Sequence, residues 1–174
     1  MTDGKTDGER NNGRRKNMAV DKVREYLKQF GAQDRILEFD VSSATVELAA
    51  IAVGTAPEHI AKTMTFMLDD GPIAIVMAGD ARCDNHKYKE QFHKKAKMLT
   101  HEEATELVGH APGGVCPFAV NEGVRCYLDV SLKRFETVYP ACGSANSAIG
   151  LSCEELERFC CPPAQWVDVC RLPE

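Results

Sequence analysis

The stretch from Gly54 to Leu68 constrains this chain most, because its hydrophobic period changes partway along. Thr55 and Glu58 have capping-box spacing, and Pro57 suits a first helical turn, where its missing N–H costs nothing; a short helix is expected there. After Lys62 the pattern alternates, with Met64, Phe66 and Leu68 on one face and Thr63, Thr65 and Met67 on the other. Such a strand can bury one side and line a cavity with the other. Lys62 stands at its first residue, between Ala61 and Thr63. Most strand-end lysines are simply solvated, so its meaning depends on its surroundings.

Around this stretch the chain reads as short elements. Asp69-Asp70-Gly71-Pro72 is a turn, and the apolar run Ile73 to Ala78 completes a hairpin. A first helix is expected from Ala19 to Phe30, stopped by Gly31, and a second from Val46 to Val53, with Ser42, Ser43 and Thr45 offering caps and Gly54 ending it. Thr100 and Glu103 have capping-box spacing for a helix ending at Gly109, and Ser152 and Glu155 for a last one. Strands are expected over Arg35–Phe39, Val124–Asp129, Thr137–Ala141 and Gln165–Cys170. About seven strands and four or five helices, without βαβ alternation, predict an α+β fold: a mixed, largely antiparallel, curled or barrel-like sheet with helices packed outside.

Composition bounds the function. At 174 residues the chain can bury a core of its own, and one domain over 18–174 is expected. Residues 1–17 carry no large apolar side chain beyond Met1 and read as a disordered leader. No apolar run approaches the ~20 residues that span a bilayer, so a cytoplasmic protein with no membrane partner is expected. A net charge of −5 argues against coating nucleic acid, DNA included. The eight cysteines contain no Cys-x-x-Cys and read as small buried hydrophobes. A metal or redox centre built from Cys153, Cys160, Cys161 and Cys170 is the alternative from another functional class.

Two further segments carry possible chemistry. Between Asp84 and Lys97, Tyr88 and Phe92 would face the core, while lysines that include Lys94, Lys95 and Lys97 form the chain's one concentrated basic run. That run is either a solvated face or a phosphate contact. Gly113 and Gly114, bracketed by Pro112 and Pro117, form a loop whose backbone can approach a ligand closely.

Ser42 to Ala50, Ile60-Ala61-Lys62-Thr63, Gly79-Asp80, Gly113-Gly114 with Pro117-Phe118, Asp129 with Ser131-Leu132, and Gly143-Ser144 occur in the order found in the YbaK/ProX family, which this chain resembles over roughly residues 19–170. These are aminoacyl-tRNA deacylases related to the editing insertion domain of bacterial prolyl-tRNA synthetase. The resemblance implies a trans-acting hydrolase of mischarged aminoacyl-tRNA with no metal or organic cofactor. It maps the family's functional lysine onto Lys62, the Gly-Gly loop onto Gly113 and Gly114, and the later turn onto Gly143 and Ser144. The chain departs from many family members in having Val41-Ser42-Ser43 rather than a proline-containing segment, and Ser-Ala-Asn-Ser rather than a basic run after Gly143.

On that premise Lys62 would hold the terminal phosphate or the ester, and the N–H groups of Gly113 and Gly114 would receive the oxyanion. No histidine is placed to act as base, which leaves that role to the substrate's own hydroxyl or to a backbone-held water. Cys116 lacks a histidine nearby in sequence and is expected to pack against the pocket. Candidate substrate-binding residues are Ser42, Ser43, Thr45, Val115, Phe118, Asp129, Gly143, Ser144 and Asn146. Lys94, Lys95 and Lys97 are candidates for tRNA binding. The expected partners are aminoacyl-tRNA and prolyl-tRNA synthetase, and the amino acid a small one. The alternative is a module that binds a tRNA acceptor end or a synthetase without catalysis.

Overall fold

The computed structural model describes residues 18–174; the leader expected over 1–17 lies outside the described residues. In chain order the strands are β1 (Leu37–Glu38), β2 (Ile60–Leu68), β3 (Gly71–Ala78), β4 (Arg82–Cys83), β5 (Arg125–Asp129), β6 (Tyr139–Pro140), β7 (Ser147–Ala148), β8 (Gln165–Val167) and β9 (Cys170–Arg171). The helices are α1 (18–27), α2 (Val46–Val53), α3 (Asn85–Phe92), α4 (His101–Glu103, continued as a π-turn over Ala104–Val108) and α5 (Cys153–Phe159).

The hairpin forms as its alternation requires, with β2 and β3 antiparallel from Ala61↔Ala78 to Leu68↔Gly71. It sits inside a five-stranded sheet of order β6-β2-β3-β5-β8. The other three pairings of that sheet are parallel. Antiparallel character returns in two outlying pairs, β1 with β7 and β4 with β9. The architecture is α+β with a curled, mixed half-barrel sheet. Met64, Phe66 and Leu68 pack on the main core with Ile75, Met77 and Leu128, whereas Met67 packs on a smaller cluster of Ala74, Leu99, Ala104, Val108 and Val124. Both faces of β3 are therefore covered, which is why its sequence is a continuous apolar run.

Several boundaries differ from expectation. α1 gives way to a 3-10 turn over Lys28–Phe30 before Gly31 closes it in the left-handed region at φ 68°. The Thr55–Glu58 capping box does not form: Pro57–His59 is a 3-10 turn capped at Ala56, and the Thr55 N–H instead donates to Ala50 O behind α2. The expected strand over Arg35–Phe39 shrinks to β1, because Arg35 ends a 3-10 turn. The stretch Gln165–Cys170 splits into β8 and β9 in separate sheets, with the Val169 N–H between them donating to Asp129 Oδ1 at 2.9 Å. α3 stops at Phe92 with His93 left-handed at φ 58°, so Lys94, Lys95 and Lys97 are not on a helix.

All eight cysteines are free thiols, and Cys116, Cys142, Cys160 and Cys170 are buried. Among the described residues no three His, Cys, Asp or Glu side chains converge as a metal site requires, so the C-terminal cysteines do not form one.

The Arg35–Glu155 pair ties the turn before β1 to α5, with Nη1 2.5 Å and Nη2 3.2 Å from the carboxylate. That hydrogen-bonded guanidinium, chiefly, lowers the Glu155 pKa from 4.5 to about 2. A depressed folded pKa means that the stabilisation is full above the ordinary pKa and is lost as pH falls toward the folded one. Glu155→Gln keeps the capping-box geometry at Ser152 but removes the charge. Its expected cost at pH 7 is about 0.5–1 kcal/mol, since the pair is partly solvated. In urea unfolding, the gap from wild type should close between pH 4.5 and 2; a gap independent of pH would contradict this assignment.

Candidate functional site

The outer edge of β2 is covered by β6 opposite Ile60 and Ala61, and by Met98 opposite Phe66. Between these covers the strand borders an open cleft of about 260 Å³. Lys62, Thr63 and Met64 form one wall; Ser43 and Thr45 before α2, Gly113 and Val115, Thr100, His101 and Ala104 of α4, and Tyr139 complete it. The π-turn in α4 therefore lies beside the cleft, where such irregularities are frequently found.

Lys62 is half-buried, and its Nζ donates to Gly79 O at 3.3 Å. Burial is the main influence on its pKa and lowers it, and the Arg82 charge acts in the same direction. The nearby Asp80 carboxylate is already held by Arg134 at 2.5 Å. Gly79 keeps the accepting carbonyl in place because the chain packs hard against it. A Cβ there would overlap the Pro57 carbonyl and lie 2.8 Å from Val46 Cγ1.

Ser43 is 7% exposed, its N–H donates to Ala145 O at 2.6 Å, and its Oγ has no partner. Thr63 Oγ1 is also buried without a partner. A buried hydroxyl left unpaired costs free energy. Two of them lining one cleft mark where a polar ligand group would complete the bonding. Thr45 also lines the cleft, but its Oγ1 is occupied as the α2 cap, accepting from Leu48 N. Ser42 does not line it: its exposed hydroxyl accepts from Ala44 N at 3.2 Å, and its neighbour Ser43 is the wall residue.

The Gly-Gly loop divides into two roles. Gly113 lines the cleft at φ 84° between the Cβ atoms of Ala44 and Ala145, which a Cβ of its own would meet at 3.0 and 3.1 Å. Its N–H has no acceptor among the described residues. The Gly114 N–H, by contrast, donates to Ala111 O at 3.1 Å, and its carbonyl accepts from Gly143 N at 3.1 Å. Gly114 is thus spent on holding the loop, so it does not supply the second oxyanion donor expected of it from sequence.

The remaining candidates lie behind the cleft. Gly143, at φ 92°, packs against Ala19 and Val23 of α1. The buried Ser144 hydroxyl is 2.8 Å from both Asn146 Oδ1 and Ser147 Oγ. Asn146 Nδ2 donates to Phe39 O at 3.0 Å, and the Phe39 N–H donates to Asn146 O at 2.8 Å. This turn holds the segment that carries Ser43 and contributes no side chain of Gly143, Ser144 or Asn146 to the lining. Phe118 is wholly buried in the main core beside Tyr26. Asp129 is buried and fully used, accepting from Ser131 N and Val169 N at 2.9 Å each. Of the basic run, Lys94 is paired with Asp69, while Lys95 and Lys97 are exposed on the segment that reaches the cleft at Met98.

Cys116 does have a histidine partner, contrary to the expectation from sequence: His110 Nε2 is 3.5 Å from its Sγ. Both side chains are buried and neither lines the cleft. His110 Nε2 also lies 2.7 Å from Phe118 O, so that nitrogen carries the proton and has no lone pair to accept one from the thiol. Burial pushes the Cys116 thiol up to about 12 and the imidazole pKa down, so the pair stays neutral and is not an activated nucleophile.

His101 and Tyr139 line the cleft without having been expected to from sequence, whereas Thr63, on the strand face expected to line a cavity, brings an unpaired hydroxyl to it. The β2–Met98 bridge, with the flanking bonds from Met67 N–H to Lys97 O and from Leu99 N–H to Thr65 O, and the β6 pairing bring α4 and Tyr139 to the edge of β2.

A family model described as the aminoacyl-tRNA editing domain matches residues 41–159. The chain is 47% identical over 155 residues to the uncharacterised protein YwhH of Bacillus subtilis (strain 168), covering 88% of this chain and 98% of that one. It is 28% identical over 90 residues to the proline–tRNA ligase of the same organism, a match that spans 51% of this chain and 16% of the ligase. The crystal structure of a candidate trans-editing enzyme for prolyl tRNA synthetase aligns with a TM-score of 0.80 at 28% identity, over 88% of this chain and 97% of that one.

Proposed function

This chain belongs to the aminoacyl-tRNA editing domain family, and from that premise we propose that it is a trans-acting deacylase that hydrolyses small amino acids from mischarged tRNA. The observation that carries the reading is a half-buried lysine in the wall of an open cleft whose lining also holds two unpartnered hydroxyls. An aminoacyl ester is already activated, so its hydrolysis asks for position and charge stabilisation more than for a strong nucleophile.

Lys62 holds the ester end of the substrate by charge. The amino acid lies between Ser43, Thr45, Thr63 and Val115, with the unpaired hydroxyls available to its amino group or a short polar side chain. Water adds to the acyl carbon, and the developing oxyanion is received by the free N–H of Gly113. When the ester C–O bond breaks, the ribose oxygen leaves with the proton that the water gave up. The base is the neighbouring ribose hydroxyl or a backbone-held water, and no step uses Cys116. The reading invokes neither metal nor organic cofactor.

The relation to proline–tRNA ligase makes the tRNA that this ligase charges the first candidate substrate, and the ligase itself the candidate protein partner. The reading places the protein in the cytoplasm with the charging machinery; no helix among the described residues is long and apolar enough to cross a membrane. The acceptor stem runs over the segment after α3. Neutralising Lys94, Lys95 and Lys97 together is expected to weaken tRNA binding and to reduce the slope of log affinity against log salt by roughly one for each phosphate no longer neutralised. An unchanged slope would return these lysines to a solvated surface. The reading itself is tested by multiple-turnover release of amino acid from mischarged tRNA. Stoichiometric binding without release would replace it with a non-catalytic module.

A further inference from the structure

β4 and β9 are joined by a ladder of two residue pairs, Arg82↔Arg171 and Cys83↔Cys170. Like charges directly opposite are destabilising, so the arginine pair does nothing to hold the strands together. One step along the same register the Asp84 N–H donates to Val169 O at 2.8 Å, which puts Cys83 and Cys170 in the non-hydrogen-bonded position. Cα atoms so placed stand about 4.5 Å apart, with their side chains at closest approach. A disulfide spans Cα atoms roughly 4.4–6.8 Å apart. Both thiols also turn to the same side: Cys170 is a buried member of the main core, and Cys83 packs against that core. Cys116, Cys126, Cys153 and Cys160 direct their thiols at the carbonyl oxygens of Phe118, Pro117, Leu132 and Leu156. Cys170 Sγ instead lies 3.5 Å from Met77 Sδ. Small molecules can reach the pair, because Cys83 is partly exposed and lines a depression of about 420 Å³ on that side of the sheet.

We propose that Cys83 and Cys170 form a reversible redox modification site, which a low-molecular-weight disulfide of the glutathione type converts into a cross-strand disulfide stapling β4 to β9. The Cys83 thiol loses its proton to solvent, and the thiolate attacks one sulfur of the small disulfide. That S–S bond breaks, and one small thiolate leaves and takes up a proton. Cys170, deprotonated in turn, attacks the Cys83 sulfur of the mixed disulfide and expels the second small thiolate. Two protein thiols are oxidised and one small disulfide is reduced to two thiols. Burial, then the Asp84 and Asp129 charges, raises the Cys83 pKa, and burial with Asp129 raises that of Cys170. Few thiolates therefore form at neutral pH and the exchange is slow. Its end point is set by how closely the register holds the two sulfurs. The site is independent of the deacylase reading.

The test equilibrates the folded full chain in glutathione buffers running from reduced to mostly oxidised, blocks the remaining thiols by alkylation, and maps the proteolysed protein by mass spectrometry. In the oxidising buffer the wild type is expected to hold one intramolecular disulfide, linking the Cys83 and Cys170 peptides and removed by dithiothreitol. Because that bond closes a long loop, the oxidised protein should melt higher than the reduced one by roughly 5–15 °C. Cys83→Ser, at the more exposed partner, should fold as wild type by circular dichroism but lose both the crosslink and the shift in Tm. Cys161→Ser, which removes an exposed thiol elsewhere, should keep both. Glutathione adducts without the crosslink, a crosslink between other cysteines, or one that survives Cys83→Ser would overturn the assignment. An oxidised wild type that melts no higher than the reduced protein would overturn the staple.

Discussion

Lys62→Ala is expected to lower the deacylation rate roughly a hundredfold or more, a loss of about 2–4 kcal/mol of transition-state stabilisation, while leaving the fold intact. The structure explains why the two effects separate. Lys62 is half-buried, makes one 3.3 Å hydrogen bond to Gly79 O, and is ion-paired with no carboxylate among the described residues. Its charge is desolvated in the free protein, so removing it relieves a cost that substrate would otherwise offset. A lysine with a lowered folded pKa is penalised fully at neutral pH, and the penalty fades as pH rises through that pKa toward the ordinary 10.5. Lys62→Met should therefore match or exceed wild-type stability at pH 7 and lose that advantage in alkaline solution. A well-folded Lys62→Ala protein with near wild-type turnover would remove the centre of the mechanism.

Gly114→Ala is expected to damage stability and activity together. Its Cβ would overlap the Gly143 carbonyl and lie 2.6 Å from Ser144 N, so the clash is with backbone on every side. Gly143 cannot yield, because it is itself pressed against Ala19 and Val23 of α1 and bonded to Gly114 O. Overpacking of this kind costs about 1–3 kcal/mol, or a fall in Tm of roughly 3–10 °C for a chain of this size. Displacing the loop also moves Gly113 and loosens the turn that seats Ser43, so turnover should fall by more than the unfolded fraction explains. Unchanged Tm and turnover would show that the loop is not clamped as described.

Local features were legible where one residue decides the outcome. Thr45 caps α2 and Gly54 ends it, Ser152 and Glu155 form their capping box, and the hairpin register follows from its alternation and turn. Resemblance and composition together point to Lys62, Thr45, Gly113 and Val115, and the structure brings these four to the cleft. What failed was direction. Nothing in Ser42-Ser43 says which hydroxyl faces inward; the Ser43 N–H bond to Ala145 O, from a turn about a hundred residues later, decides it. Asp129 and Phe118 lie within the quoted motifs, but one is consumed by two N–H groups and the other by the core. The Gly-Gly and Gly-Ser motifs read as two ligand loops, whereas they are one clamp, with Gly114 seated on Gly143. The His110–Cys116 contact also escaped, because the chain between them folds back across a loop that carries no period.

The central claim is that the cleft beside Lys62 removes small amino acids from tRNA. The walls at Ser43, Thr45, Thr63 and Val115 are short side chains, most of them hydroxyl-bearing, and the proposal is that they admit an amino-acid side chain of one or two heavy atoms and reject larger ones sterically. The direct measurement compares deacylation of alanyl-, seryl-, cysteinyl- and prolyl-tRNA by the purified protein at matched concentrations. The account predicts rapid release of at least one of the three small amino acids, with prolyl-tRNA spared. No turnover of any small ester, or efficient hydrolysis of correctly charged prolyl-tRNA, would contradict it.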